Sequence, residues 1–303
     1  MHCAVFSCLG LGDGLISLVL SNNLHLNGAS VTTFHPFLSS LQPWFPHLPL
    51  SSFPDEIELT LEKFDQIFLF FEKSPQMQSL LKVCLEKYRH KTVILNPIAT
   101  ANRDYPYWEE GKFNGERPFV DNLYTFCKET LRFAVATKSN GIILPEGISL
   151  NPNPRRILLH PTSSREGKNW GQKRYLTLYD KLETRGFTPT LLLTKEEQLG
   201  WNLEGKCSPV FNSLSELAGY IYGSRLLIGN DSGLGHLASC LGMPTLTLCR
   251  SAQNAKFWRP AWTQGAVLTP SPWIPNLKGL RLRDKHWQKW ISVKRVLRQL
   301  AEI

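Results

Sequence analysis

Short apolar runs alternate with amphipathic stretches along most of the chain. CAVFSC at 3 to 8 reads as a buried strand, and the pattern after it predicts a helix over 15 to 26. ASVTTF at 29 to 34 and QIFLFF at 66 to 71 are further strands; a helical stretch near 76 to 89 and the strand TVILN at 92 to 96 follow. FVDNLYTFCKETLRFAVA, 119 to 136, predicts one more helix. The alternation then begins again. ILLHP at 157 to 161 is a strand, RYLTLYDKLETRG at 174 to 186 a helix ending in glycine, and TPTLLLT at 188 to 194 a strand. LSELAGYIYGS, 214 to 224, predicts a helix and RLLIGN, 225 to 230, a strand.

Short apolar strands separated by helices predict parallel sheets covered on both faces. Between the two series lie an aperiodic loop from 100 to 118 and a Pro- and Asn-rich linker, ISLNPNPRR, at 148 to 156. The expected architecture is α/β, with two Rossmann-like domains, 1–150 and 151–303, whose parallel sheets face each other across a cleft.

Composition narrows the field. A chain of 303 residues with 42% hydrophobic side chains can bury a large core. It contains no apolar run of transmembrane length, and its N-terminus has no basic leader, so a cytoplasmic protein is expected. Seven cysteines form no CxxC pair, which argues for reduced, mostly buried thiols rather than disulfides or a zinc site.

The net charge of +9 is unevenly placed: residues 1 to 150 hold 12 basic against 15 acidic side chains, and residues 151 to 303 hold 22 against 10. Anion binding belongs to the second half. No zinc finger, RNP motif or basic zipper accompanies the charge, so nucleic acid is not the expected partner.

Three stretches carry candidate chemistry. GLGDGL, 10 to 15, follows the first strand but lacks the third glycine of a dinucleotide fingerprint, leaving a flexible turn that presents Asp13. Asp13 either caps the next helix or has a chemical role. HPTSSREGKNW, 160 to 170, follows a strand and gathers the hydroxyls of Thr162, Ser163 and Ser164 with the charges of Arg165 and Lys168, a set suited to an anion. GNDSGLGHLASCLGMP, 229 to 244, predicts a helix from Gly233 with Asp231 or Ser232 at its N-cap, a stop at Gly242 and Pro244 ahead of the strand TLTLC. Glycines in its first turn leave backbone amides uncovered for a phosphate, and His236 one turn in is placed to donate to the same anion. The spacing excludes a hydrolase elbow and a P-loop, and no metal-ligand set is visible.

These three stretches, in this order and with the tail HWQKWISVKRVLRQL at 286 to 300, resemble glycosyltransferase family 9, the lipopolysaccharide heptosyltransferases of GT-B architecture. The resemblance implies an inverting, metal-independent transfer of a sugar, heptose in the family, from a nucleotide diphosphate donor such as ADP-heptose to a lipopolysaccharide core acceptor, with no resident cofactor. It implies Asp13 as general base on the acceptor side. Lys168 would stabilise the leaving diphosphate, held with it by Ser163, Ser164, Asp231, Ser232, Gly233 and His236, and the donor ribose would bind Glu197 or its neighbour Glu196. Closure about the linker would exclude water.

A lipid-linked acceptor would draw on Arg103, Lys112 and Arg117, and the basic residues from Arg281 onward suggest a peripheral contact with an anionic inner membrane. The competing readings are a non-catalytic nucleotide-binding relative, which would not need Asp13, and a nucleotide-sugar epimerase or hydrolase, which would need further acid and base groups.

Overall fold

The computed structural model describes residues 1–96, 113–148, 152–277 and 280–303. The chain forms two compact units, Met1–Pro145 and Glu146–Ile303.

The first unit contains β1 (His2–Phe6), α1 (Leu11–Leu26), β2 (Ser30–Phe34), β3 (Leu50–Ser51), α2 (Ile57–Glu62), β4 (Gln66–Phe70), α3 (Pro75–Lys87), β5 (Thr92–Leu95) and α4 (Phe119–Thr125). Its five strands are all parallel, in the order β3-β2-β1-β4-β5. Ala4, Phe6, Ile67 and Leu69 point from the strands onto Met77, Leu80 and Cys84 of α3. Burial of each large side chain there stabilises the unit by about 1.5–3 kcal/mol.

Helix α1 begins at Leu11, four residues ahead of its expected start, so GLGDGL is a first helical turn and not a flexible loop. Gly10 is the N-cap, with no side-chain cap bond, and Asp13 lies in the first turn of the helix, so Asp13 is not itself the N-cap residue. Glycines at 12 and 14 cost about 1 kcal/mol each in a helix, yet Gly14 packs where a Cβ would collide with the His35 ring. The close approach explains why helix wins over loop.

The expected helix at 119 to 136 ends early. After α4 the chain makes one π-helical turn, Phe126–Thr130, and leaves helical structure beyond it. The backbone that follows has better partners. Asn27 exchanges two bonds with Val135, Asn23 exchanges two with Thr137, and Asn22 donates to the Ser139 carbonyl. These amides read as polar helix positions in the sequence, but they serve the segment that covers α1.

The second unit contains β6 (Arg156–His160), α5 (Gln172–Glu183), β7 (Thr188–Leu191), α6 (Lys195–Gln198), α7 (Leu214–Tyr222), β8 (Leu226–Asn230), α8 (Gly233–Cys240), β9 (Thr245–Leu248), α9 (Ala252–Trp258), β10 (Gly265–Leu268), α10 (Leu282–Lys285) and α11 (Val293–Leu300). All five strands are again parallel, in the order β10-β9-β8-β6-β7. Trp170, Tyr175 and Leu178 cover one face of this sheet with Ile157, Leu191 and Ile228, and Trp287, Ile291 and Val296 of the tail complete that core. The linker reading covers 149 to 151, which lie outside the described residues; after them Asn153 is tied to the Gly223 carbonyl and Arg156 lies over the Tyr220 ring.

All seven cysteines are free thiols, five of them buried. Burial raises Cys3 and Cys84 to about 11, which keeps them protonated and inert.

Candidate functional site

In the second sheet the chain runs from β6 outward to β7, then crosses back to lay β8 against the other side of β6. A crevice opens at such a reversal, beyond the carboxyl ends of the strands. The loop at 161 to 170 enters it from β6, and Asp231 and Ser232 enter it from β8.

Ser232 is the N-cap of α8, but its side chain makes no cap bond. The N-cap serines of α3, α7, α9 and α11 (Ser74, Ser213, Ser251 and Ser292) all accept a bond from an amide of their own first turn. Ser232 turns away to the His160 ring, with Oγ 2.8 Å from Nδ1. The first amides of α8 are thus left without the side-chain cap that those four helices have, at the positive end of the helix dipole. Burial holds His160 at about 4, so the ring is neutral at pH 7.

Lys168 faces this turn. Its Nζ lies 2.8 Å from Asp231 Oδ2, with both side chains partly exposed. Behind the pair, Asn230 is almost fully buried and its side chain bonds the loop and α5. Its Oδ1 accepts from the Trp170 amide at 3.0 Å and the Tyr175 hydroxyl at 3.1 Å, and its Nδ2 donates to the Pro161 carbonyl at 2.7 Å. Ser163 donates to the Asn169 side chain and the Arg165 carbonyl, which folds the loop on itself; Ser164 and Arg165 are exposed. From the far side, Trp287 Nε1 donates to the Gly167 carbonyl at 2.9 Å.

His236 is buried, and burial lowers it to about 4 against the opposing charge of Asp231. Its ring bonds the backbone of Trp258 in the sense that favours the charged form, as a carbonyl acceptor does, while Nδ1 is buried with no partner. A neutral ring that donates through Nε2 has an acceptor at Nδ1. As it stands, His236 offers a lone pair, so donation to an anion requires it to gain a proton. Gly235 faces Pro260, where a Cβ would stand 3.2 Å from Cγ, so this glycine serves packing. Glu197 forms a capping box with Thr194 at the start of α6, its Oε2 accepting from the Thr194 amide at 2.8 Å; Glu196 is exposed.

Asp13 belongs to the first unit. The order β3-β2-β1-β4-β5 reverses between β1 and β4, and Asp13 follows β1. Its carboxylate lies where a Cβ on Gly10 would be. Gly10 is held in turn by His35: Phe37 donates its amide to Nδ1 at 3.0 Å, which leaves the proton on Nε2 to be donated to the Gly10 carbonyl at 3.1 Å. Burial lowers His35 to about 4 and keeps this tautomer uncharged. From the loop after β4, the Glu72 carboxylate accepts from the Leu9 amide at 3.3 Å. Both carboxylates raise the buried Cys8 thiol, after burial itself.

Ser163, Lys168, Asp231 and Ser232 therefore share one strand reversal, Gly233 and His236 follow on α8, Glu197 stands after β7, and Asp13 occupies the reversal of the other sheet. His35, Glu72, His160 and Asn230 were not among the residues expected. Arg117 is exposed, while Arg103 and Lys112 lie outside the described residues. Among the described residues no group of three or more His, Cys, Asp and Glu side chains is placed to hold a metal ion, and no helix is long and apolar enough to cross a membrane.

Two doubly wound parallel sheets, each with candidate chemistry at its reversal, give the α/β fold of the GT-B glycosyltransferases. The model of glycosyltransferase family 9 (heptosyltransferase) matches residues 145–285 of the chain. No curated protein matches the chain by sequence. Among solved structures, the chain resembles the E. coli ADP-heptose lps heptosyltransferase II with a TM-score of 0.68 and 16% identity, over 100% of this chain and 98% of that one. It resembles the E. coli heptosyltransferase WaaC with ADP at 0.64 and 13% identity, over 100% and 99%. A family 9 glycosyl transferase from Veillonella parvula gives 0.69 and 16% identity, over 99% and 96%. At these identities the likeness is one of fold, and the fold is that of a heptosyltransferase-like glycosyltransferase.

Proposed function

We propose that the protein is an inverting glycosyltransferase that moves a sugar, heptose, from an ADP-activated donor to a lipid-linked saccharide of the lipopolysaccharide core. The observation that carries this reading is the helix α8 N-terminus, which its own serine leaves uncapped, beside Lys168 at a strand reversal in the basic half of the chain. A diphosphate matches it in charge and in its need for donors. Structures with this fold contain ADP, ADP-2-deoxy-2-fluoro heptose and, in TibC, ADP-D-beta-D-heptose, which supports the choice of nucleotide and sugar.

In the proposed reaction Asp13 accepts the proton of the attacking hydroxyl, the new bond forms at the anomeric carbon, and the bond to the diphosphate oxygen breaks on the opposite face. Lys168 and the first amides of α8 stabilise the charge that develops on the leaving group, where a fixed cation and an aligned dipole act without reorganising. Ser163, Ser164, Ser232 and Gly233 complete the diphosphate cradle, and Asp231 holds Lys168 in place. Glu196 or Glu197 receives the ribose. Lys168 and the amides supply the positive charge, so the mechanism calls for no metal ion and no resident cofactor. The work would be done on the cytoplasmic side of an anionic membrane, where the acceptor is anchored.

The reading is tested by calorimetric titration with ADP and UDP, followed by transfer assays with ADP-heptose and a core acceptor. ADP is expected to bind, and Asp13→Ala is expected to bind it equally while losing transfer. Failure of ADP to bind would remove the donor assignment, and undiminished transfer by Asp13→Ala would remove the base.

A further inference from the structure

Of the fifteen large hydrophobic side chains that are exposed among the described residues, five lie between 273 and 290: Trp273, Leu277, Leu280, Leu282 and Trp290. Both exposed tryptophans of the described chain are in that window, Trp273 at 92% and Trp290 at 41%. Elsewhere such residues are scattered, which is ordinary for a protein surface. Here they are concentrated in one short segment.

The segment is built, not frayed. Leu277 and Leu280 form an antiparallel bridge, and Arg283 bonds the Pro275 carbonyl through its amide and the Pro272 carbonyl through its guanidinium. The Asp284 amide donates to the Asn276 side chain and Trp290 Nε1 to the Leu282 carbonyl. Buried Trp287 and Ile291 seat this small lobe on the core of the second unit.

Its charge is one-sided. Between 281 and 298 seven Lys and Arg stand against Asp284 alone, and Arg281, Lys285, Lys289, Lys294 and Arg298 are exposed. Exposed indoles and leucines set among basic side chains, with almost no acid, match the headgroup layer of an anionic bilayer: the rings favour the boundary between water and acyl chains, and the cations favour the lipid phosphates.

We infer that the lobe formed by residues 272 to 277 and 280 to 290 is the surface by which this protein docks on an anionic lipid bilayer. This rests on the lipid-linked acceptor proposed above for its purpose, though the docking itself needs neither donor nor acceptor. The lobe also touches the anion loop. Trp287 bonds Gly167 and Gln288 bonds the Asn169 carbonyl, on either side of Lys168, so the element that meets lipid braces the one proposed to hold the diphosphate.

The test is co-sedimentation of the full chain, without substrates, with vesicles of phosphatidylethanolamine and phosphatidylglycerol or of phosphatidylcholine alone. The wild type is expected to pellet with the anionic vesicles only and to be released by high salt. Trp273→Ser with Leu277→Ser should lower partitioning about tenfold. Arg281→Glu with Lys285→Glu and Lys289→Glu should lower it at least as much. Thermal melting at the wild-type midpoint shows that each variant is folded.

Equal pelleting with both lipids, or folded variants that pellet like the wild type, would overturn the proposal. So would a wild type that ignores vesicles but self-associates through Trp273 in light scattering, since the lobe would then be a protein contact. If ADP fails to bind while docking stands, the transferase reading falls and the surface remains.

Discussion

The Lys168 ammonium and the Asp231 carboxylate, 2.8 Å apart, join the loop after β6 to the turn after β8 across the strand reversal. The pair is partly exposed and adds little to stability. Its weight lies in placement, since Asp231 holds a cation where a diphosphate would arrive. Lys168→Ala is expected to weaken ADP binding by roughly 10- to 100-fold, the range for a hydrogen bond to a charged group. Asp231→Asn keeps the cation and is expected to cost less. Calorimetric titration of both variants checks the order.

Asn230→Leu would remove the acceptor of the Trp170 amide and Tyr175 hydroxyl and the donor to the Pro161 carbonyl. Buried groups left unpaired cost about 1–3 kcal/mol each. The expected result is a lower melting temperature together with weaker ADP binding. A variant that melts lower yet binds ADP like the wild type would separate the fold from the loop.

His35 is expected to act on Asp13 through Gly10. His35→Phe fills the same space but cannot donate to the Gly10 carbonyl, and Gly14→Ala would drive a methyl group into the ring. Misplacement of a reacting group by about 1 Å costs on the order of 100-fold in rate. Steady-state assays of both variants should show a lower kcat with ADP affinity unchanged, a split that general destabilisation would not produce.

Burial lowers His35 and His236 to about 4 in the folded chain, against 6.5 for the free side chain. Well above pH 6.5 neither state binds these protons, so neither histidine makes stability depend on pH. As the pH falls from about 6.5 toward 4 the unfolded chain takes up protons first, and stability declines by up to about 1.4 kcal/mol per pH unit for each ring. Urea unfolding across that range should show the decline, and it should be shallower in His35→Gln.

The strands and the strand reversals were legible because short apolar runs between helices have few other readings. That Lys168, Ser232 and Asp13 lie in the segments following strands was legible, and those segments are where open α/β sheets place ligands. His160, Asn230 and His35 were not. Ser232 meets His160 only through the pairing of β6 with β8, and Asn230 gives no sign in the sequence of bonding a loop some seventy residues earlier. The start of α1 was misjudged because glycine propensity says nothing of the His35 ring that Gly14 admits. The end of the helix after Phe119 was misjudged because asparagine amides on α1 compete for that backbone. Gly235 has a packing reason that glycine spacing alone had suggested was a ligand's.

Asn230 also fixes a length. One amide reaches Pro161 at the start of the loop and Trp170 at its end, so the chain between them spans a set distance whatever its composition. Substitutions at exposed Ser164, Arg165 and Glu166 are absorbed locally, whereas inserting or deleting one residue would put either Pro161 or Trp170 out of reach and carry Lys168 with it. This loop is accordingly open to drift in its letters and closed to drift in their number.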